Sequence, residues 1–141
     1  MFSSITTAAL CGIDARIVSV ETDVGSGLPT FDMSGYLGTE VKEARDRVRI
    51  AIKNTGVELS PQRIVVNISP ADIRKEGTGF DLPIAIGILV SNGIIEEEKV
   101  KDTLVLGELS LDGTVNPVNG VLPIVSHIKD AINISQTKNS P

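Results

Sequence analysis

Aromatic side chains are scarce in this sequence, which has no Trp, one Tyr and three Phe in 141 residues. So few rings give little platform for stacking nucleobases. Cysteine is limited to Cys11 and histidine to His127, which excludes an internal disulfide and a Cys/His zinc site. Basic charge is also short: 13 Lys and Arg against 18 Asp and Glu leave a net charge of -5, so the field of the whole molecule repels phosphate. The longest apolar run, Leu82 to Val90, is too short to span a bilayer. Met1 to Leu10 lacks the positive and long apolar regions of a secretory signal. These absences point to a reduced, cytoplasmic chain without a membrane anchor.

The length suits one domain with a single core, built on an apolar share of 41% that is mainly Ile, Val, Leu and Ala. Ile5–Leu10, Ile13–Val24 and Leu28–Ser34 read as strands, with Gly25-Ser-Gly27 as a turn, and suggest an opening three-stranded meander. The period then changes. Val41, Ala44, Val48, Ala51 and Ile52 share one helical face, which predicts a helix over Thr39–Thr55 capped by Thr39 and ended by Gly56. Ile64, Val66 and Ile68 alternate with Val65, Asn67 and Ser69, predicting a strand that stops at Pro70 and completes a strand–helix–strand crossover.

Asp81–Asn92 reads as a second helix, apolar all round and therefore buried, with Asp81 as N-cap, Pro83 in its first turn and Gly93 as terminator. Thr103–Leu106 reads as a short strand, and Leu109–Val115 as a hairpin about Asp112-Gly113. Val121–Ile134 reads as a third helix, and the polar Ser135–Pro141 as the start of a linker to a further domain. The pattern is a mixed α+β order of strands and helices over residues 1–134.

Two stretches are candidates for function. The loop from Pro70 to Asp81 joins a strand to a buried helix and carries Asp72, Arg74, Lys75, Glu76, Gly77, Gly79 and Asp81. Backbone amides at Gly77-Thr-Gly79 suit an anion at a helix start, yet neither G-x-x-x-x-G-K-[ST] nor G-x-G-x-x-G is present. The plainer reading is favoured: the glycines take unusual backbone angles, Asp81 caps the helix, and Arg74, Lys75 and Glu76 are solvated. The second candidate is the stripe Lys42, Arg45, Arg49 and Lys53, placed along one side of the first helix by spacings of three and four. It suits phosphate or an acidic partner, although Glu40, Glu43 and Asp46 are interspersed and favour a solvated, ion-paired face. Arg47 and Ile50 read as pointing away from the core, as interface residues. Cys11 reads as a buried structural thiol, and His127 as a lone surface or boundary histidine. No metal site is indicated.

Gly27-Leu-Pro-Thr-Phe-Asp32, Val41-Lys-Glu-Ala-Arg-Asp-Arg-Val48, Val66-Asn-Ile-Ser-Pro-Ala-Asp-Ile-Arg-Lys-Glu-Gly77, Phe80-Asp-Leu-Pro-Ile-Ala85 and Leu106-Gly-Glu-Leu-Ser-Leu-Asp-Gly113 follow one another along nearly the whole chain. In this order they closely resemble the start of the YifB/ComM family of magnesium-chelatase-related AAA+ ATPases. The resemblance implies a two-layer α/β sandwich over residues 1–134, a fold shared with the proteolytic domain of Lon and with a domain of a small-subunit ribosomal protein. It also implies that a AAA+ module binding ATP and Mg follows this domain, which needs no cofactor of its own. Its implied partners are that module, neighbouring subunits of an oligomer and DNA, reached through the parent motor.

The same resemblance allows a comparison with the Lon Ser-Lys dyad, in which a lysine is the base for serine attack. Asp81 stands at the serine position and Leu122, within Pro117-Val-Asn-Gly-Val-Leu122, at the lysine position; neither Thr78 nor Ser126 recreates the pair. A non-catalytic accessory or assembly domain is therefore expected. Its contacts would lie on the 72–81 loop and the first helix. The alternatives are a nucleic-acid-binding module using those same residues and a residual Lon-type peptidase.

Overall fold

A computed structural model describes residues 1–118. The expected third helix, His127, Leu122, Ser126 and the 135–141 linker lie outside them. Among the described residues the chain runs β1 (Phe2–Cys11), β2 (Asp14–Gly25), β3 (Thr30–Ser34), α1 (Thr39–Asn54), β4 (Arg63–Ser69), α2 (Asp81–Ser91), β5 (Glu108–Leu109) and β6 (Val115–Asn116), with a short 3-10 turn at Glu97–Lys99 between α2 and β5.

Alternation decides which face of the sheet is inside. Register aligns it across strands: Ile5 lies opposite Val20 and Ser3 opposite Thr22, Val20 opposite Ile68 and Thr22 opposite Val66, and Met33 opposite Val66. That face packs under both helices, with Val41, Ala44, Val48, Ala51 and Ile52 buried from α1 and Ile84, Ala85, Ile88 and Val90 from α2. The other face is polar, as Ser34 donates to Asn67 Oδ1 at 3.0 Å and Asn67 donates to Glu21 at 2.9 Å. The result is an α+β arrangement with helices on one side of a single main sheet.

The sheet order is β1-β2-β4-β3, which corrects the expected meander. β3 pairs parallel with β4 and makes no ladder with β2, because β4 returns from the α1 crossover into the place between them. The crossover itself is as expected. So is the β5–β6 hairpin around Asp112-Gly113, with Gly113 at φ +92°. The expected strand at Thr103–Leu106 reduces to one bridge between Leu104 and Thr6, with Val105 N–H donating to the Thr6 carbonyl at 2.9 Å.

Two expected helix caps also differ. Gly38, not Thr39, occupies the N-cap of α1, and Phe80, not Asp81, that of α2, neither with a side-chain cap bond. Gly93 ends α2 as expected, at φ +73° with its N–H bonded to the Val90 carbonyl.

Gly87 is placed in α2 by close approach to the sheet. A Cβ there would stand 2.7 Å from Thr22 Oγ1 and 3.6 Å from Ile5 Cγ1. Gly87→Ala gains about 1 kcal/mol of helix propensity, but overpacking costs about 1–3 kcal/mol. A net loss of about 1 kcal/mol is expected in denaturant unfolding. Adding Thr22→Ala, which removes the obstructing hydroxyl, should recover part of it; a Gly87→Ala variant more stable than the parent chain would contradict this packing.

Candidate functional site

The segment from Pro70 to Phe80 leaves β4 and doubles back beside the entry to α1. Lys75 N–H donates to the Tyr36 carbonyl at 3.0 Å, and Gly38 N–H donates to the Lys75 carbonyl at 2.8 Å, forming a short parallel bridge at Leu37–Lys75. This bridge turns the Lys75 side chain inward. Lys75 is fully buried, and its ammonium donates to the carbonyls of Gly35, at 2.6 Å, and Pro70. The reading of Lys75 as solvated is thus corrected: two carbonyls at the ends of β3 and β4 point inward and need a donor.

Burial lowers the Lys75 pKa below the ordinary 10.5, with the charges of Asp72 and Cys11 acting in the opposite direction. Cys11, expected to be buried, is half-buried with a free thiol.

Arg74 and Glu76, on either side, are exposed as expected and pair at 2.7 Å. The Arg74 guanidinium also lies 5.9 Å from the Tyr36 ring centroid. Gly77 has φ +83°, whereas Gly79 is not in the left-handed region. What Gly79 requires is room, since a Cβ there would meet Leu106 Cδ1 at 3.0 Å.

Asp81 is also fully buried. It accepts two hydrogen bonds from Arg47, at 2.8 Å from Nε and 2.9 Å from a terminal nitrogen, and a third at 3.0 Å from the Leu109 N–H. One carboxylate therefore ties α1, α2 and β5 together. A bidentate guanidinium–carboxylate pair is the strong form of this contact. It raises the Arg47 pKa, the hydrogen bond to Asp81 being the largest cause.

Arg47 is thus turned inward, with a side chain only 20% exposed, which corrects its reading as an outward interface residue. A signal was available in the sequence: Arg47 lies three residues after Ala44 and four before Ala51, on the flank of the buried stripe. A lone carboxylate at the head of an otherwise apolar helix demands such a partner.

Beside this pair, a cleft of 590 Å³ opens between the β1 edge at Ala8–Leu10, the start of α1 at Thr39 and Glu40, and the 76–80 turn, with Leu106 and Val118 also lining it. Lys75 and Asp81, the two buried ionisable groups of the loop, do not line it. Asp72 is exposed on the loop. The basic stripe divides: Lys42 stands with Arg74 at the start of α1, whereas Arg49 and Lys53 face a different groove at its end. All four stripe residues are exposed. No group of three or more His, Cys, Asp or Glu side chains able to hold a metal occurs among the described residues. No helix among them is long and apolar enough to cross a membrane.

Residues 20–136 match the sequence pattern of the family described as subunit ChlI of Mg-chelatase. The chain is 42% identical over 120 residues to the uncharacterized protein YifB of Escherichia coli (strain K12), covering 85% of this chain and 24% of that protein. It is 41% identical over 117 residues to the competence protein ComM of Haemophilus influenzae, covering 83% and 23% respectively. This chain belongs to the YifB/ComM family of magnesium-chelatase-related proteins. It spans about a quarter of the length of those relatives. A Lon protease of Mycolicibacterium smegmatis is 27% identical over 123 residues, covering 82% of this chain and 15% of that protein. Of the two positions compared with the Lon dyad, Asp81 lies among the described residues and Leu122 outside them.

Proposed function

We propose that this chain is the non-catalytic N-terminal accessory and assembly domain of a magnesium-chelatase-related AAA+ ATPase, with the fold of the Lon proteolytic domain. One observation carries the reading: the carboxylate at the position compared with the Lon serine accepts three hydrogen bonds inside the fold. A nucleophile needs a free lone pair facing substrate and a base beside it. Asp81 does not line the cleft, and Lys75 donates to two backbone carbonyls. The exposed parts of the loop and of α1 are then surfaces for contact with the ATPase module and neighbouring subunits. ATP and Mg belong to that module, since this chain has no phosphate-binding G-x-x-x-x-G-K-[ST] sequence. The parent is read as a cytoplasmic, DNA-associated motor, and the name of its competence-protein relative supports the DNA association alone.

The test is made in the parent protein. Deleting residues 1–141 should weaken subunit assembly and reduce DNA-stimulated ATP hydrolysis while leaving nucleotide binding in place. Unchanged assembly and hydrolysis would sink the accessory role. Cleavage of a fluorescent peptide by the intact chain, blocked by a serine-reactive probe, would sink the non-catalytic one.

A further inference from the structure

The end of α1 and the loop after it enclose a groove remote from the glycine loop. Ile50, Val57 and Leu59 give it an apolar floor, with Arg49 and Lys53 also lining it. Past Arg49 and Leu59 it continues along β3 by Phe31 to Gln62. Arg45 stands at the same rim, 3.4 Å from the Phe31 carbonyl. Asp46 and Glu58 offset part of this charge and leave an excess of one cation. An apolar floor under a cationic rim fits an apolar segment with carboxylates beside it. Nucleic acid fits less well, because the chain is acidic and the groove offers one aromatic ring.

The chain carries such a segment next to the groove. Gln62, at the groove's end, exchanges two amide hydrogen bonds of 3.0 Å with Asn92. Beyond Asn92 come Ile94, 48% exposed, and the exposed Glu96, Glu97 and Glu98. The backbone of the segment is already ordered, since Ile94 N–H donates to the Leu89 carbonyl at 2.9 Å and Glu97–Lys99 form a 3-10 turn. Docking therefore costs little ordering entropy. A groove with a cationic rim and an acidic segment side by side are complementary to each other: about a two-fold axis beside the Gln62–Asn92 pair, each would meet its opposite on another copy.

We propose that the 49–62 groove receives the Ile94–Glu98 segment of a second copy of this chain, forming a reciprocal pair. One groove and one short segment from each copy make a small contact, in the weak class of association. The inference does not rest on the accessory-domain reading, and its test uses this chain alone, so the two fail separately.

Sedimentation of the 141-residue chain across concentration should show a monomer–dimer equilibrium. Arg49→Glu with Lys53→Glu places acid against acid and should weaken the pair at least tenfold. Glu97→Lys with Glu98→Lys places base against base and should do the same. Mixing the two variants should restore association as a heterodimer, because both contacts are then complementary. All four positions are exposed, so melting temperatures serve as the check that each variant is folded. A chain that stays monomeric at millimolar concentration, variants that pair as well as the parent sequence, or a mixture that does not pair would each overturn the proposal. So would a monomeric chain whose groove binds a single-stranded oligonucleotide and loses it on Arg49→Glu with Lys53→Glu.

Discussion

Asp81→Asn should destabilise the fold more than substitution at any exposed charge. Removing one member of a buried ion pair costs about 3–5 kcal/mol, because the remaining charge keeps its desolvation and loses its partner. At about 3–5 °C per kcal/mol for a chain of this size, the melting temperature falls by roughly 10–20 °C. The amide keeps the shape but cannot accept from Arg47 through both oxygens, and the Leu109 N–H loses a charged acceptor. Arg47→Met should cost at least as much, since it leaves the fully buried Asp81 carboxylate with only the Leu109 N–H, whereas the Arg47 side chain left by Asp81→Asn is 20% exposed and beside Glu43. Pairing Arg47→Met with Asp81→Leu should recover most of the loss, as apolar replacement of both members of a buried pair often does. A double-mutant cycle by thermal and denaturant unfolding measures the coupling. A coupling near zero, or an Asp81→Asn variant melting within a degree or two of the parent, would mean that the pair does not hold α1 to α2. Peptidase activity unchanged from background in all three variants is the companion expectation.

Lys75→Met should follow in size, at about 2–4 kcal/mol, from the loss of charge-assisted donors to two inward-facing carbonyls. Its signature is the dependence on pH. The folded pKa of Lys75 lies below the ordinary 10.5 because burial penalises the charged amine. Between that folded value and 10.5 the unfolded chain holds more protons than the folded one, so stability from this group rises with pH across the interval. A neutral amine still has two N–H bonds for the carbonyls of Gly35 and Pro70. Lys75→Met has no such titration, so the stability gap between parent and variant should widen as pH rises towards 10.5. Unfolding free energies at neutral and alkaline pH decide it: a gap that narrows with pH would contradict the direction of the shift.

Both predictions concern charges whose place was poorly legible in the sequence. Asp81 suits an N-cap by residue type, and Lys75 between Arg74 and Glu76 looks like one more solvated charge. Each is instead drawn inward by groups distant in the chain, Arg47 lying 34 residues from Asp81 and Gly35 40 residues from Lys75. Capping and patterning are local rules; they describe what a residue suits, not which buried group will need it. The exposed stripe on α1 was legible because exposure there follows from helical spacing alone. Its division between two ends of the helix was not, because each end faces a different strand or loop.

The sequence by itself determined α1, α2, β4, the β5–β6 turn and the family, since periods of 3.6 and 2, glycine at positive φ and long ordered blocks of residues are written in the local order of the chain. Only the tertiary structure decided that β4 enters between β2 and β3, and that Arg47, Lys75 and Asp81 lie inside. The reason is physical: a strand's two edges carry the same hydrogen-bonding groups whatever its neighbours, and a buried charge is settled by the partner that folding brings to it.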